Sequence, residues 1–348
     1  MTGPKPEHPR TICIVMLSGI GDTVHVLPVA NALKRAWPEV RISWIIQSVS
    51  GALVDGHPAI DELLVYHRRC RGTQTWTNFA ELSHLVKERH FDLVLVLQVY
   101  LKAGIITALL SARTKLGFDM ARARDANWLF TNQRIAPHRP QHLQEEYFEF
   151  LGHLGVDPEP VEWGIHITDR EREEQASFFS GLDKPVCSIV VATSKRRKNW
   201  TVEGYAQVID ELEFVHRLQP VLIGGPSPIE RDMVNRILAV TRAHPIDALG
   251  DNLRQLIYIL DGSALAVSPD TGPLHISRAL ETPVIGLYGY TNPKRTGPFR
   301  CFYDLVVDGY AEFPGEDYPV STEYRDGMKR ITTEMVLQKV DVALRHYF

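Results

Sequence analysis

The sequence predicts an α/β protein built on mostly parallel sheets with helices on both faces. Three observations point there. Short apolar runs rich in β-branched residues alternate along the chain with spans of helical periodicity. The runs are continuous rather than alternating, which is the pattern of strands covered on both faces. At 348 residues, the chain is long enough for two such domains.

The first strand is Thr11 to Leu17 (TICIVML), followed by the glycine-rich turn Ser18-Gly19-Ile20-Gly21-Asp22. A helix comes next, with Val24, Leu27, Ala30, Leu33 and Ala36 on one face and Pro28 as a kink point. Strands at Arg41 to Gln47, Glu62 to Tyr66 and Leu93 to Leu97 continue the series, with helices near Trp76 to Glu88 and Lys102 to Leu110. A helix from about Gln141 to Leu154 closes the first half. Gly155 to Thr168, with two prolines and two glycines, reads as the linker. A second series follows: strand Val186 to Ala192, helix Thr201 to Phe214, strand Val221 to Ile223, helix Ile229 to Val240, then strands Leu265 to Ser268 and Pro283 to Tyr288. Phe299 to Asp326 is loop-rich and acidic, and Thr333 to Tyr347 is a final helix. This places domain boundaries at 1–160 and 169–330, with 331–348 a terminal helix. In open parallel sheets ligands sit beyond the carboxyl ends of strands, so the Asp22 and Asp270 turns are expected on opposite walls of one cleft.

Composition narrows the function. A formal net charge of −4 argues against a nucleic-acid binder. The four cysteines, Cys13, Cys70, Cys187 and Cys301, form no CxxC pair and read as thiols of a reducing compartment. Met1 to Arg10 has no apolar stretch of a signal peptide, and no run is long enough to span a bilayer. The expectation is a cytosolic protein, free to touch a membrane face.

Four turns at strand ends carry candidate chemistry. Gly19-Ile20-Gly21-Asp22 begins like a dinucleotide fingerprint, but the third glycine would fall at Val24, which disfavours a nicotinamide cofactor. Asp22 is either a helix N-cap or a carboxylate available as a general base. Thr193-Ser194-Lys195-Arg196-Arg197-Lys198 puts hydroxyls and four cations at a strand's carboxyl end, a phosphate site or a solvated charge run. In Pro269-Asp270-Thr271-Gly272-Pro273-Leu274-His275, Gly272 suits an N-cap and Pro273 the first helical position. The backbone N–H groups there and the helix dipole suit an anion. An ordinary capped βα turn accounts for the same residues. Ile223-Gly224-Gly225 with Glu230 permits close ligand approach, and Glu230 could accept from ribose hydroxyls or be a plain surface acid. Arg68, Arg69 and Arg71, with Arg113, Lys115, Arg122 and Arg124, hint at an anionic partner for the first half. No His, Asp or Glu cluster has ligand spacing for a metal.

Taken in order, these residues resemble a known family. Gly21-Asp22-Thr-Val-His25-Val-Leu-Pro28 with Leu33 through Pro38, His57 through Glu62, Lys198-Asn199-Trp200, Gly224-Gly225 with Glu230, Asp270 through His275, and Thr291-Asn-Pro293 with Gly297-Pro298 look like the landmarks of family 9 glycosyltransferases, the bacterial lipopolysaccharide heptosyltransferases. The resemblance covers nearly the whole chain. It implies the GT-B fold: two Rossmann-like domains with parallel sheets facing across a cleft, the C-terminal helix returning to the first. It implies an inverting enzyme without metal or other cofactor. The first domain would bind an anionic lipid A-core acceptor at the inner membrane face, through Gly21, His25, Arg68, Arg113 and Arg122. The second would take a nucleotide sugar, usually ADP-heptose. Carried over by position, Asp22 is the general base and Lys198 a catalytic cation. Thr193, Ser194 and Lys198 hold the diphosphate, Glu230 the ribose, and Asp270, Thr271, Gly272 and His275 line the donor pocket.

The chain departs from the family at Tyr290 and Asn292, where Gly-Pro-Thr-Asp-Pro is common, and in the basic Lys195-Arg196-Arg197. Two rival readings share the fold: a nucleotide-sugar 2-epimerase, which needs no acceptor, and a non-catalytic nucleotide-sugar-binding module, which would not need Asp22.

Overall fold

The computed structural model describes residues 8–66 and 81–348. The chain divides into two compact units, one of residues 1–139 with 144–166, the other of 140–143 with 167–348. Arg68, Arg69, Arg71 and Cys70 lie outside the described residues.

The first unit is a six-stranded parallel sheet in the order β3-β2-β1-β4-β5-β6. Its strands are β1 (Thr11–Val15), β2 (Arg41–Gln47), β3 (Glu62–Tyr66), β4 (His90–Val96), β5 (Ser111–Gly117) and β6 (Gln133–Arg134). The continuous apolar runs behave as the pattern requires: Ile12 through Val15 are fully buried on β1, with β2 on one side and β4 on the other. β5 carries no such run. Only Thr114, Leu116 and Gly117 of it are buried, so its sequence gives no strand signal. The Ile20–Ala36 helix runs through Pro28, and the Ser48–Val54 helix adds a short element after β2.

The second unit repeats the plan with β7 (Val186–Val190), β8 (Gln219–Ile223), β9 (Ile246–Asp247), β10 (Leu265–Pro269), β11 (Val284–Tyr288) and β12 (Val306–Asp308), in the order β12-β11-β10-β7-β8-β9. Counted within each unit, both orders are 3-2-1-4-5-6, the doubly wound arrangement. The strand order reverses between the first and fourth strands. The crevice for a ligand therefore opens at β1/β4 in one unit and at β7/β10 in the other.

Thr168, the last residue of the expected linker, is an N-cap. Its hydroxyl accepts from Glu171 N, and the Glu171 carboxylate accepts from Thr168 N, a capping box that starts the Asp169–Phe179 helix. No residue of that helix is buried, so apolar periodicity does not reveal it. Glu171 also pairs with Arg254 at 2.6 Å, on the Leu253–Asp261 helix. The C-terminal helix, Thr333–His346, is counted with the second unit, not with the first as the resemblance implied. Its stripe of Val336, Val340 and Ala343 is fully buried, and the helix packs on Val202–Phe214 and β12. Trp200 Nε1 donates to Ile331 O, and Thr333 Oγ1 to Gln207, which fixes its entry.

Candidate active site

Some family landmarks prove to be framework. Lys34 donates to Val40 O at 2.7 Å and meets Asp61 at 3.0 Å, so the Leu33–Pro38 and His57–Glu62 segments clasp one another. Burial alone would raise the Asp61 carboxyl. The Ile42 N–H and the Lys34 ammonium outweigh it and hold its pKa below the ordinary value. His57 is buried, with Nε2 2.8 Å from Trp163 O.

At the first unit's switch point, the turn after β1 is shaped by Gly19. Its φ of 94° lies in the left-handed region, and a Cβ there would stand 2.5 Å from Asp22 Oδ2. Only glycine lets the Asp22 carboxylate fold back over the turn. The helix begins at Ile20 with Gly19 as its N-cap, so Asp22 is the third helical residue and not the cap. Its side chain is half-buried. Gln98, at the end of β4, bridges the switch point: Leu17 N donates to its Oε1 and its Nε2 donates to Ser18 O, each at 3.2 Å. Sequence reasoning passes over Gln98, because nothing local shows that β1 and β4 are neighbours.

The expected acceptor residues separate. Gly21 is the second residue of the Ile20–Ala36 helix, beside Asp22. His25 is buried, its Nδ1 3.0 Å from Gln144 Oε1, and Gln144 donates back to His25 O. Arg122 is committed to framework. It pairs with Asp119 and with Glu149 at 2.6 Å and donates to Ala136 O, closing the loop after β5. Arg113 is exposed but is the third residue of seven on β5, far from the strand's carboxyl end. At about 3.3 Å per residue it stands roughly 13 Å from that end. The first unit's cations nonetheless outnumber its acids locally: residues 99–139 hold seven Lys or Arg against Asp119 and Asp125. Leu101, Ile105 and Leu129 are exposed in the same stretch.

The second unit's switch point brings β7 and β10 side by side, and with them the two turns the sequence singled out. Lys198 Nζ donates to Asp270 Oδ2 at 2.7 Å and to Asp270 O at 2.8 Å. Thr291 Oγ1 donates to the same carboxylate at 2.6 Å, and His275 Nε2 stands 3.4 Å from Oδ1. Asp270 is buried, which alone would raise its pKa, but Lys198 and His275 hold it well below the carboxylate range. Asp270 is thus the hub that ties the lysine loop, the helix start and the loop after β11. Sequence reasoning gives Thr291 no role, because its partner follows another strand. Thr271, not Gly272, is the N-cap of the Gly272–Ala279 helix, and Pro273 is its second residue. The hydroxyl of Thr271 makes no capping bond there.

Thr193 is buried and closes its own loop: its Oγ1 donates to Lys195 O and its N–H to Asn199 Oδ1. Ser194 is exposed. Glu230 accepts from Gly225 N at 2.7 Å and from Ser227 Oγ at 2.5 Å, which braces the Gly224-Gly225 turn, while Ser227 caps the helix by accepting from Glu230 N. His142, in the segment counted with the second unit, places Nε2 2.9 Å from Gly297 O and packs on Phe299. Burial, and the nearby His275 and Arg295, outweigh the Gly297 carbonyl and lower its pKa to about 4. Among the described residues, no group of three His, Cys, Asp or Glu is arranged to hold a metal ion.

Two doubly wound sheets, each ending in a built turn at its switch point, define the class: a two-domain α/β protein of the GT-B fold. A model of glycosyltransferase family 9 (heptosyltransferase) matches residues 79–310, and the chain belongs to that family. It is 30% identical over 342 residues to the lipopolysaccharide core heptosyltransferase OpsX of Haemophilus influenzae, covering 96% of each chain. Among solved structures, it is similar to a family 9 glycosyltransferase of Veillonella parvula (TM-score 0.80, 20% identity, 97% of each chain). It is also similar to the E. coli heptosyltransferase WaaC with ADP (TM-score 0.72, 22% identity, 97% of this chain and 99% of that one). The two structural likenesses establish the fold; family membership makes the chain a glycosyltransferase.

Proposed function

We propose that the protein transfers a heptose from ADP-heptose to a lipopolysaccharide core acceptor, with inversion and without a metal. The observation that carries this reading is the second unit's switch point. There Lys198, three further cations on its loop and the start of the Gly272–Ala279 helix meet at the carboxyl ends of β7 and β10. That gathering of positive charge suits a diphosphate. The relative of Haemophilus influenzae named for core heptose transfer supports the sugar and the acceptor.

Sugar transfer from a diphosphate builds negative charge on the departing phosphate and positive charge at the anomeric carbon. Cations and helix N–H groups stabilise the departing charge in place of a divalent ion. Asp22 takes the acceptor hydroxyl's proton as the oxygen attacks the face opposite the leaving group, which inverts the centre. The excess of Lys and Arg in residues 99–139, with exposed Leu101, Ile105 and Leu129, supports an anionic lipid-linked acceptor and work at the cytoplasmic face of the inner membrane. Among the described residues, no helix is long and apolar enough to cross a membrane.

The test is to incubate the protein with ADP-heptose and lipid A-core acceptor in excess EDTA. The expected product is the heptosylated acceptor with inverted anomeric configuration, formed at the same rate with and without chelator. An epimerised donor in the absence of acceptor, or activity that returns only with magnesium, refutes the reading.

A further inference from the structure

The loop from Lys195 to Lys198 contains four cations, and they are not equivalent. The charge of Lys198 is compensated by the Asp270 carboxylate 2.7 Å away. A neutral pair is a weak counter-ion for a departing phosphate. Lys195, Arg196 and Arg197 are exposed, and among the described residues none of them has a carboxylate within 4.0 Å.

Two of the three are instead seated on aromatic rings. Arg197 Cζ lies 5.3 Å from the Tyr290 ring centroid and Lys195 Nζ lies 5.7 Å from that of Tyr324. The two rings stack at 4.7 Å and 12°. The backbone sets this up: Arg325 N donates to Tyr290 O at 3.0 Å and Gly327 N to Gly289 O at 2.8 Å, so the two tyrosines come alongside. Tyr290 immediately precedes Thr291, which holds Asp270, and Arg197 immediately precedes Lys198. The aromatic seat and the Asp270 hub are therefore adjacent rungs between the same two loops. A carboxylate partner would both place a cation and cancel it. A ring face attracts a cation through its quadrupole and leaves the charge intact. Two of the sequence departures from the family, the basic triplet and Tyr290, are thus one physical device.

We propose that Arg197, seated on Tyr290, is the counter-charge for the sugar-linked phosphate of a nucleoside diphosphate donor, and that Tyr290 is a positioning residue for it. The proposal rests on the donor reading above.

The experiment is calorimetric binding of ADP and AMP to the full chain, because only ADP carries the second phosphate. The wild type is expected to bind ADP more tightly than AMP. Arg197→Ala should weaken ADP by at least about tenfold, the size of a lost charge-assisted contact, while AMP changes by less than about threefold, and its ADP affinity should fall less steeply with salt. Tyr290→Ala should show part of the same loss, and Tyr290→Phe, which keeps the ring, should restore it. Arg197→Gln is measured in place of the alanine variant should that chain fail to fold. ADP affinity within twofold of wild type in the Arg197 variants, or equal losses for ADP and AMP, overturns the proposal. A wild-type protein that binds neither nucleotide overturns the donor reading itself, and this proposal with it.

Discussion

Lys198 lies in an exposed basic loop, and on sequence grounds its removal should reduce turnover with little effect on folding. The structure reverses that expectation. Lys198 and Asp270 are 17% and 7% exposed at their side chains, and the lysine donates twice to Asp270. Removing one member of a buried pair leaves an uncompensated charge and typically costs about 3–5 kcal/mol. Thr291 and His275 remain beside Asp270, which places Lys198→Ala near the lower end. For a unit of this size, about 3 kcal/mol corresponds to a fall in Tm of roughly 6–12 °C. The pH dependence follows from the sign of the shift. The folded pKa of Asp270 is depressed from its ordinary 3.8, so its stabilising contribution is present above about pH 4 and is lost as the pH falls through the folded value. Without Lys198 the largest influence opposing burial is gone, so that carboxyl is depressed less than in the wild type and its protonation relieves the buried charge sooner. The deficit of Lys198→Ala relative to wild type should therefore shrink as the pH is lowered from 7 towards 4. The assay is thermal unfolding of Lys198→Ala, Asp270→Asn and the double variant at several pH values. The double variant should be more stable than the sum of the single losses predicts, by at least about 1.5 kcal/mol. Additive losses, or a deficit independent of pH, would show that the pair is not coupled and that Lys198 is a free loop cation.

Asp22→Asn separates chemistry from helix capping. Asp22 is the third helical residue, so the substitution leaves the N-cap in place and takes a negative charge from the first turn, a dipole effect of about 0.3–1 kcal/mol; kcat should fall at least about a hundredfold while Tm and ADP binding barely move. Retention of most of the kcat at saturating acceptor sends the search for the base elsewhere. His142 gives a second pH signature. Its pKa is lowered from 6.5 to about 4, so the folded state resists its protonation and stability is lost as the pH falls between those values, by up to about 3 kcal/mol. His142→Gln should flatten that slope in pH-dependent melting curves, and an unchanged slope assigns it to other groups. Flotation with vesicles containing anionic lipid should carry the protein at low salt, and Arg124→Glu with Arg134→Glu should abolish it; equal binding to neutral vesicles would refute an electrostatic contribution.

The sequence by itself determined the elements with continuous apolar runs. β2 and β3 fall within the residues it named, and β1, β7, β10 and β11 within one or two. A short run of Ile and Val bounded by turns favours a strand buried on both faces. It also marked the turns at Gly19, Thr193 and Asp270, because glycines, cations and N-capping residues at strand ends have local causes. It missed β5 and the Asp169–Phe179 helix, where burial is one-sided or absent and periodicity has nothing to report. Only the tertiary structure decided which turns meet. Lys198 and Asp270 are separated by 72 residues, and what joins them is the reversal of strand order between β7 and β10, which no local pattern encodes. The same reversal lets Gln98 brace the Asp22 turn from β4. It also separated residues of like chemistry: Arg122 is bound by two carboxylates, whereas Arg197 rests on a tyrosine ring and keeps its charge. Residue type sets what a side chain can do, but the partners that packing supplies decide whether its charge is cancelled or left to act.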